Sequence, residues 1–475
     1  MPSSDCHGLP ITRVSLAALL ALSATTAPDA SAAPFVSAPS TCTDPAHPGP
    51  WFKALRAEER FCDDIDRPES PWWTALKNRQ WGGTRWSFGG EMRLRIEHVD
   101  PVSAGLRGGR DDSYAFYRGL LHMDGRLGTH WRVFAEAGYW NSTGREPRPA
   151  PTDVDRGDVS QALVEWSPSA ATMVRVGRQQ VLYGSGRLIG FRGIPNVRQS
   201  FDGIRVRHAS SSVGVLEVFH FRPVAILPGA FDDREDTGER LFGAYWTSRL
   251  PIEGLSIDAY ALRFERGFQR YQNAEGPERR MIGGVRLFGQ RGRFAMNTEL
   301  VLQGGEVGTQ DARAWWFTSD AQWRSRPQSP WLLGFRTSQA SGDSDPNDGR
   351  IETYQPMYAP PPYLMQSAFF FPANLRTVQP YLEWAVTPKL TATFEFQAQW
   401  RMEESDGYYT PPLVLTRLDD RGTFLGTQAG VSVRYAVRRD LQIDAWVNRL
   451  RVSGPLERAG AKDTTFAASM ATWSF

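Results

Sequence analysis

Arginine occurs at alternate positions in several segments of the chain, a placement that suits the binding of anions. Of the 54 lysine and arginine residues, four are lysine, so arginine accounts for 50. A guanidinium group is always charged, and its flat fork of donors matches a carboxylate. Arginines at every second position of a strand share one face of it. The candidates are Arg93, Arg95, Arg118, Arg132, Arg175, Arg178, Arg187, Arg192, Arg198, Arg205 and Arg207.

A purely structural role is the alternative for the same arginines. Glutamate residues occupy nearby alternate positions, so an arginine can be neutralised by a glutamate on its own face. These glutamates include Glu91, Glu97, Glu136 and Glu165. The formal net charge of +2 favours neither interpretation, and both stay open.

The sequence offers little for catalysis, metal binding or nucleic-acid binding. It contains no H-E-x-x-H motif, no G-x-S-x-G motif and no cysteine cluster, and its seven histidines are scattered. We therefore expect no catalytic residue, no metal and no cofactor; the alternative is a hydrolase built on His122 or His220 with an unidentified serine. The basic residues alternate with apolar ones and form no single patch, so no nucleic-acid partner is expected.

The arginine-bearing segments alternate in polarity with a period of two. Between residues 86 and 98, apolar residues such as Met92 and Leu94 share one face, and charged residues such as Arg93 share the other. The same pattern recurs between residues 390 and 401. Such alternation predicts strands with one wet face. Their length and the charge of the polar face favour a membrane barrel with a wet lumen.

About 18 strands are predicted in this way, an even number as in bacterial outer-membrane barrels. The predicted fold is therefore all-β: a transmembrane antiparallel barrel of about 18 strands, acting as a monomeric pore. At this width the interior leaves a channel unless loops fill it. The predicted strands lie near residues 86–98, 114–127, 130–140, 159–166, 173–179, 201–208, 213–221, 240–248, 255–264, 280–288, 293–303, 311–323, 331–340, 375–385, 390–402, 426–436, 441–451 and 464–475.

The predicted connections alternate between short and long, as in barrels with periplasmic turns and extracellular loops. The short ones are 128–129, 209–212, 289–292, 387–389 and 437–440. The long ones are 141–158, 180–200, 222–239, 265–279, 341–374 and 403–425.

The two ends of the chain indicate export to the outer membrane. Arg13 precedes an apolar run from Val14 to Ala24, and the small residues 30–32 resemble a cleavage site, so residues 1–33 are expected to be a signal peptide. Residues 34–80 are expected to form an N-terminal periplasmic extension, and residues 81–475 the barrel. The last strand ends in Phe475, through which we expect contact with the outer-membrane assembly machinery; lipid is the expected surroundings of the wall.

Two cysteines remain after the signal peptide, Cys42 and Cys62. An even number in an exported chain is most simply one disulfide, here closing a short N-terminal loop. A redox or metal pair is the alternative, with His47 as the nearest further ligand of that kind.

Three linked motifs resemble the alginate-export family of outer-membrane proteins. They are V-R-V-G-R-Q-Q at 174–180, Y-G-S-G-R-L at 183–188 and P-N-V-R-Q-S-F-D-G at 195–203. G-G-E-M-R at 89–93 is similar to the family's first barrel strand. The motif residues to which we assign a structural role are Gly177, Gly184, Gly186, Pro195, Asn196, Phe201, Asp202 and Gly203. The resemblance covers roughly residues 80 to 475.

The resemblance implies an 18-stranded, arginine-lined pore in the bacterial outer membrane that exports an acidic polysaccharide, with acidic loop residues as a gate. The gate candidates are Asp232, Asp233, Glu235 and Asp236, which are equally consistent with solvated loop charges. We expect the glycines to let the loop at 180–200 fold back into the pore, Asn196 to form a turn, and Asp202 to fix a neighbouring arginine or amide. The alternative function is an anion-selective or general porin for small acidic solutes.

Overall fold

A closed barrel of eighteen antiparallel strands dominates the computed structural model, which describes residues 52–62, 70–145, 149–360, 364–419 and 421–475. The barrel closes because the last strand pairs with the first. Its strands are β1 Thr84–Asp100, β2 Asp112–Leu127, β3 Trp131–Thr143, β4 Asp155–Ser169, β5 Thr172–Gln179, β6 Phe201–Ser210, β7 Gly214–Ala225, β8 Glu239–Arg249, β9 Leu255–Arg270, β10 Glu275–Arg291, β11 Phe294–Val307, β12 Gln310–Trp323, β13 Trp331–Ala340, β14 Leu375–Thr387, β15 Leu390–Trp400, β16 Phe424–Arg438, β17 Leu441–Val452 and β18 Thr464–Ser474.

Several helices and short strands are not counted among the eighteen strands of the barrel wall. The 3-10 helices are Arg56–Glu58, Trp72–Leu76 and Val102–Gly108, and the α-helix α1 is Gly454–Arg458. The short strands are Arg79–Trp81, Arg234–Glu235, Arg350–Ile351, Tyr408–Thr410 and Val414–Thr416. No helix in the described ranges has the length and apolar character needed to span a membrane.

Alternation along each strand separates an outer apolar face from an inner polar one. On β1 the outward residue Met92 is 58 % exposed, whereas its neighbour Arg93 is 5 % exposed. On β15 the outward Phe396 is exposed and the inward Gln397 is fully buried. This distribution of apolar and polar residues is the reverse of that in a soluble protein. It confirms the sequence prediction of an apolar outer face and a charged inner face.

The two ends of the barrel differ in their connections. One end carries the short turns, for example 128–130 and 388–389, together with both ends of the barrel chain. The opposite end carries the long loops, among them 180–200, 341–374 and 401–423. This asymmetry identifies the periplasmic and the extracellular end respectively.

The predicted long connection at 265–279 is wrong. β9 continues to Arg270 and β10 begins at Glu275, so the connection spans residues 271–274. Both strands extend past the apolar band into a region where polar residues occupy both faces, apart from the exposed Phe268 on β9. Polarity therefore stops alternating there, although the hydrogen-bonded ladder continues through a register shift between Arg266 and Gln269.

Tryptophan pairs mark the outer rim near the periplasmic end. Trp131 stacks with Trp166 at 6.2 Å between ring centroids, and Trp331 stacks with Trp384 at 4.7 Å. All four are on the outer wall next to short turns. Tryptophan side chains favour the membrane interface because the ring is apolar while its N–H group needs a polar partner.

Candidate functional site

The loop of residues 180–200, which we call the lumen loop, crosses the inside of the barrel. Near one end, Arg187 Nη1 donates to the backbone oxygen of Asn297 on β11 (3.4 Å). Near the other, Asn196 Nδ2 donates to the backbone oxygens of Tyr117 on β2 and Asn141 on β3, at 3.1 Å each. Strands that lie far apart around the wall are thus connected through the lumen by one loop.

Glycines permit the sharp path at the start of the lumen loop, as the sequence suggested. Gly184 has φ +57°, and a Cβ there would lie 2.4 Å from the hydroxyl of Tyr245. Gly186 has φ +71°. Gly190 needs no positive φ, but its Cβ would come within 2.9 Å of the Gly186 carbonyl oxygen. The first two glycines supply backbone angles that other residues rarely adopt.

Arginines on the barrel wall hold the far half of the lumen loop by its backbone. Arg93 donates to the carbonyl oxygens of Gly193 and Pro195, at 2.9 Å each. Arg118 reaches the same region, with Nη1 3.2 Å from the backbone oxygen of Asn196. The turn predicted at Asn196 stays a prediction. The Asn196 side chain ties the loop to two strands and to the Asp153 backbone oxygen at 2.8 Å.

Four guanidinium groups and two carboxylates meet where the lumen loop contacts β1 and β2. The group, which we call the loop-contact cluster, consists of Arg93, Arg95, Arg118, Arg198, Glu91 and Glu97. All six are buried. The Nε atom of Arg93 and the Nε and Nη1 atoms of Arg198 have no hydrogen-bond partner among the described residues. The cluster therefore combines an excess of positive charge with unused donors.

A second group of charged side chains, which we call the periplasmic cluster, has a net charge closer to zero. Its arginines are Arg132, Arg175, Arg205 and Arg207, and its acids are Glu58, Asp124, Glu165 and Glu217. Arg175 Nε donates to Glu165 Oε1 at 2.6 Å, and Arg132 Nη1 donates to Glu165 Oε2 at 3.0 Å. These pairs match the structural alternative considered from the sequence.

The remaining three candidate arginines bind different parts of the interior. Arg178 makes a forked pair with Asp202 (2.9 and 3.1 Å), as expected for Asp202. Arg187 lies 3.8 Å from Asp320 on β12, and Arg192 donates to the backbone oxygen of Met357 at 3.2 Å. Within the described ranges, nine of the eleven candidates lie within 4 Å of a carboxylate, so acid–arginine pairs line much of the lumen.

The loop of residues 341–374 also folds inward, which the sequence did not predict. Its Tyr358 N–H donates to the Leu188 carbonyl oxygen of the lumen loop at 3.2 Å. Its Gln355 Nε2 donates to Glu278 Oε2 on β10 at 2.8 Å. Phe201, the motif residue at the start of β6, packs edge-on against Tyr358 with ring centroids 4.9 Å apart. An apolar cluster thus joins the two inward loops to the wall.

Two motif glycines serve close strand pairing. A Cβ at Gly177 would lie 2.2 Å from the Ala162 carbonyl oxygen, and φ there is +121°. A Cβ at Gly203 would lie 2.1 Å from the His220 carbonyl oxygen. The backbone approaches too closely at both positions for a side chain.

Residues 56–59 occupy the periplasmic mouth of the barrel. Arg56 donates to the carbonyl oxygens of Gly90 (3.1 Å) and Phe475 (2.9 Å). Ala57 is buried against Phe134 and Leu163. Glu58 faces the periplasmic cluster. Its partial withdrawal from bulk water raises its pKa, but Arg175 and Arg205 outweigh this effect and hold the pKa below its ordinary value.

The structure describes one of the two cysteines of the predicted N-terminal disulfide. Cys62 is disulfide-bonded, while Cys42 and the predicted signal peptide lie outside the described residues. The pairing of Cys42 with Cys62 therefore stays a prediction.

An acidic cluster lies at the extracellular rim. Carboxylate oxygens of Asp158, Asp232 and Asp233 lie within 4.8 Å of one another. Burial, followed by the charge of Asp158, raises the pKa of Asp233 to about 6. Of the predicted gate residues, Glu235 instead contacts Arg222 on β7. The four candidate gate acids therefore do not form one group.

Two apolar grooves on the outer wall are separate from the lumen. One, of about 540 Å³, is lined by small and apolar residues of β7 to β11 such as Ala244 and Gly283. The other, of about 640 Å³, includes Phe394 and Val431. Both open toward the lipid side, so they take no part in the path through the barrel.

Solved structures of bacterial outer-membrane proteins share this fold. The chain aligns with Pseudomonas aeruginosa OpdK with vanillate at 12 % identity and a TM-score of 0.56, covering 82 % of this chain and 98 % of that one. Acinetobacter baumannii OccAB4 gives 10 % identity and a TM-score of 0.57, with the same coverage. P. aeruginosa OpdO gives 12 % and 0.56, covering 82 % and 97 %. At these identities the likeness shows the fold alone.

The sequence itself matches one family model, described as alginate export, over residues 84–448. No curated protein sequence matches the chain. The family match, the closed barrel and its apolar outer wall together place the protein in the bacterial outer membrane as a channel. Because the match covers most of the chain and the complete run from β1 into β17, the protein belongs to the alginate-export family.

Proposed function

We propose that this outer-membrane channel passes an anionic polysaccharide or oligosaccharide of the alginate type. The loop-contact cluster supports the proposal, because four guanidinium groups there face two carboxylates inside the pore. A uronate carboxylate entering the cluster would balance the excess charge. The N–H donors of Arg93 and Arg198 that have no partner are buried, so a carboxylate would reach them once the lumen loop moves aside.

The position of the cluster strengthens its effect on a passing anion. The lumen loop narrows the pore where it contacts β1 and β2, and little water separates charges in such a space. Electrostatic attraction is stronger there than at the wide mouths of the barrel. The periplasmic cluster, whose net charge is closer to zero, would contribute less to the anion preference of the channel.

Uptake or passage of small acidic solutes is the second candidate function. The contact between Tyr358 and Leu188 favours it, because it joins two inward loops across the lumen and leaves less room for a polymer. OpdK, a structural neighbour, has been crystallised with the small molecule vanillate. For polymer passage the two loops would have to separate.

We further propose that the protein contacts lipid and the outer-membrane assembly machinery, and that it has no enzymatic role. The apolar outer wall would contact lipid, and the C-terminal strand ending in Phe475 would engage the outer-membrane assembly machinery. The arginines of the lumen contact acids, the lumen loop or, as proposed above, a passing anion, and such contacts suit transport of a solute without chemical change.

Purified protein in planar bilayers tests these functions. Reversal potentials in a KCl gradient should show preference for chloride. Alginate oligomers and glucuronate are then compared as blockers of the chloride current. Block by oligomers at lower concentration than glucuronate supports the saccharide channel, because several carboxylates bind at once. Equal block favours the small-solute porin, and preference for potassium would contradict both.

A further inference from the structure

A carboxylate from the N-terminal segment already occupies an arginine pair in the periplasmic cluster. Glu58 Oε1 accepts a hydrogen bond from Arg205 Nη2 at 2.9 Å and one from Arg175 Nη2 at 3.1 Å. The two arginines are direct register partners on the adjacent strands β5 and β6. One oxygen atom therefore bridges two cations.

In this contact Glu58 resembles a bound ligand more than a residue of the barrel wall. The arginines are nearly fully buried, whereas the Glu58 side chain is 42 % exposed and comes from outside the barrel wall. Its neighbours Arg56 and Ala57 rest on the chain end and on the inner wall. The segment thus fills the mouth and presents one acid to the interior.

Like charges placed directly opposite each other on neighbouring strands repel. Glu165 and Glu217 supply part of the neutralisation for Arg175 and Arg205, and Glu58 supplies the rest. If the segment leaves the mouth, the arginine pair loses an acid partner. Another carboxylate arriving through the pore can then take its place.

We infer that Glu58 is a tethered competitor: its carboxylate fills a carboxylate-binding site made by Arg175 and Arg205, and the segment at 56–59 closes the mouth until an acidic solute displaces it. The inference rests on the proposed anion channel and assigns that channel a self-blocking element. Because Glu58 is attached to the same chain, it competes at a fixed, high local concentration.

The experiment compares Glu58→Gln with Glu253→Gln in planar bilayers. Glu253 is exposed in the periplasmic turn between β8 and β9, so its substitution changes the same charge at the same end. We expect E58Q to raise the conductance in KCl alone and to lower the half-blocking concentration of glucuronate by about tenfold, the size expected for one charged hydrogen bond. E253Q should behave as the wild type. Heat-modifiable migration on gels verifies that each variant is folded.

The double variant E58Q with Arg205→Gln identifies the site. It should lose the gain in glucuronate affinity while keeping the open mouth. Equal conductance and equal block in E58Q and E253Q would overturn the inference. If neither glucuronate nor alginate oligomers block any of the forms, the proposed function fails, and the E58Q conductance still decides whether the segment closes the mouth.

Discussion

Arg198 Nη2 donates a hydrogen bond of 2.8 Å to Glu91 Oε2, joining the lumen loop to a strand 107 residues earlier in the chain. The other oxygen of the same carboxylate accepts from Arg118 Nε on β2 at 2.8 Å. One buried acid thus holds two neighbouring strands and the loop between other strands together. Breaking such a pair from one side is costly, because it leaves a buried charge without its partner.

The first prediction concerns selectivity. Replacing Arg93 and Arg198 together by glutamine should lower the chloride-to-potassium permeability ratio roughly threefold, because two of the four cluster cations are removed where the pore is narrow. Reversal potentials in a KCl gradient measure the ratio. The control is Arg263→Gln, whose side chain is 58 % exposed. If the double variant and the control have the same ratio, these arginines do not set selectivity.

The second prediction concerns how the lumen loop is held. Asn196→Ala removes the amide that reaches three backbone oxygens. Each lost bond to a buried group costs about 1 kcal/mol. The loop should detach more often, and trypsin should then cut after Arg192 or Arg198 in detergent-solubilised barrels. Mass spectrometry of the fragments reports the cleavage sites.

The matched control for this prediction is Asn347→Ala, at an exposed position of another extracellular loop. Protection of the lumen loop in that variant should equal the wild type. A lumen loop that stays resistant in N196A would show that the arginine contacts alone hold it in place.

The barrel was predictable from sequence because each wall residue faces either lipid or lumen. Met92 and Arg93 carry that information in their types, and the register follows from it. The extended ends of β9 and β10 were not predicted, because the polarity of the residues no longer alternates outside the apolar band. Hydrogen bonding between strands continues there without a signature in residue type.

The interior contacts were less accessible to sequence reasoning. Arg205 and Glu58 are 147 residues apart, and nothing near Glu58 marks it as the partner of a barrel arginine. The glycines of the lumen loop signalled an unusual path, but not that the loop at 341–374 would meet it. Tertiary proximity, and not local pattern, decides which acid neutralises which arginine.

The third prediction is a pH dependence of the extracellular end. Asp343 is buried in the loop at 341–374, bonded to Asn273 at 2.7 Å, and its backbone N–H donates to Asp406 at 3.1 Å. Burial, followed by the charge of Asp406, raises the pKa of Asp343 to about 6. Since this pKa lies above the unfolded value, protonation stabilises the folded loop. That stability is present at low pH and is lost as the pH rises through about 6.

Asp343→Asn should therefore raise the thermal midpoint by about 2 °C at pH 7.5 and change it little at pH 4. The amide keeps an acceptor for Asn273 without the buried charge. Midpoints come from heat-modifiable migration after incubation at graded temperatures. Asp345→Asn, at an exposed position nearby, is the control; a D343N midpoint that follows the control at both pH values contradicts the assignment.

The fourth prediction tests the disulfide. Replacing Cys42 and Cys62 by serine should leave barrel assembly intact, because the eighteen strands pair without the N-terminal segment. Heat-modifiable migration measures assembly, and mass spectrometry of wild-type protein prepared without reductant should find one disulfide. Two free thiols in that sample would exclude the predicted pairing.

The last prediction concerns the glycine in the V-G-R-Q motif. At Gly177 a methyl group would lie 2.2 Å from the Ala162 carbonyl oxygen, which belongs to the backbone of β4 and has little room to move. Its φ of +121° adds strain of about 1–3 kcal/mol for any other residue. Gly177→Ala should therefore separate β4 from β5 and reduce the fraction of folded barrel in outer membranes several-fold. Gly283→Ala on β10, where nothing lies within 4 Å of the added methyl, should assemble as the wild type does. Equal yields of heat-modifiable barrel from both variants would show that the close approach at Gly177 is not needed for assembly.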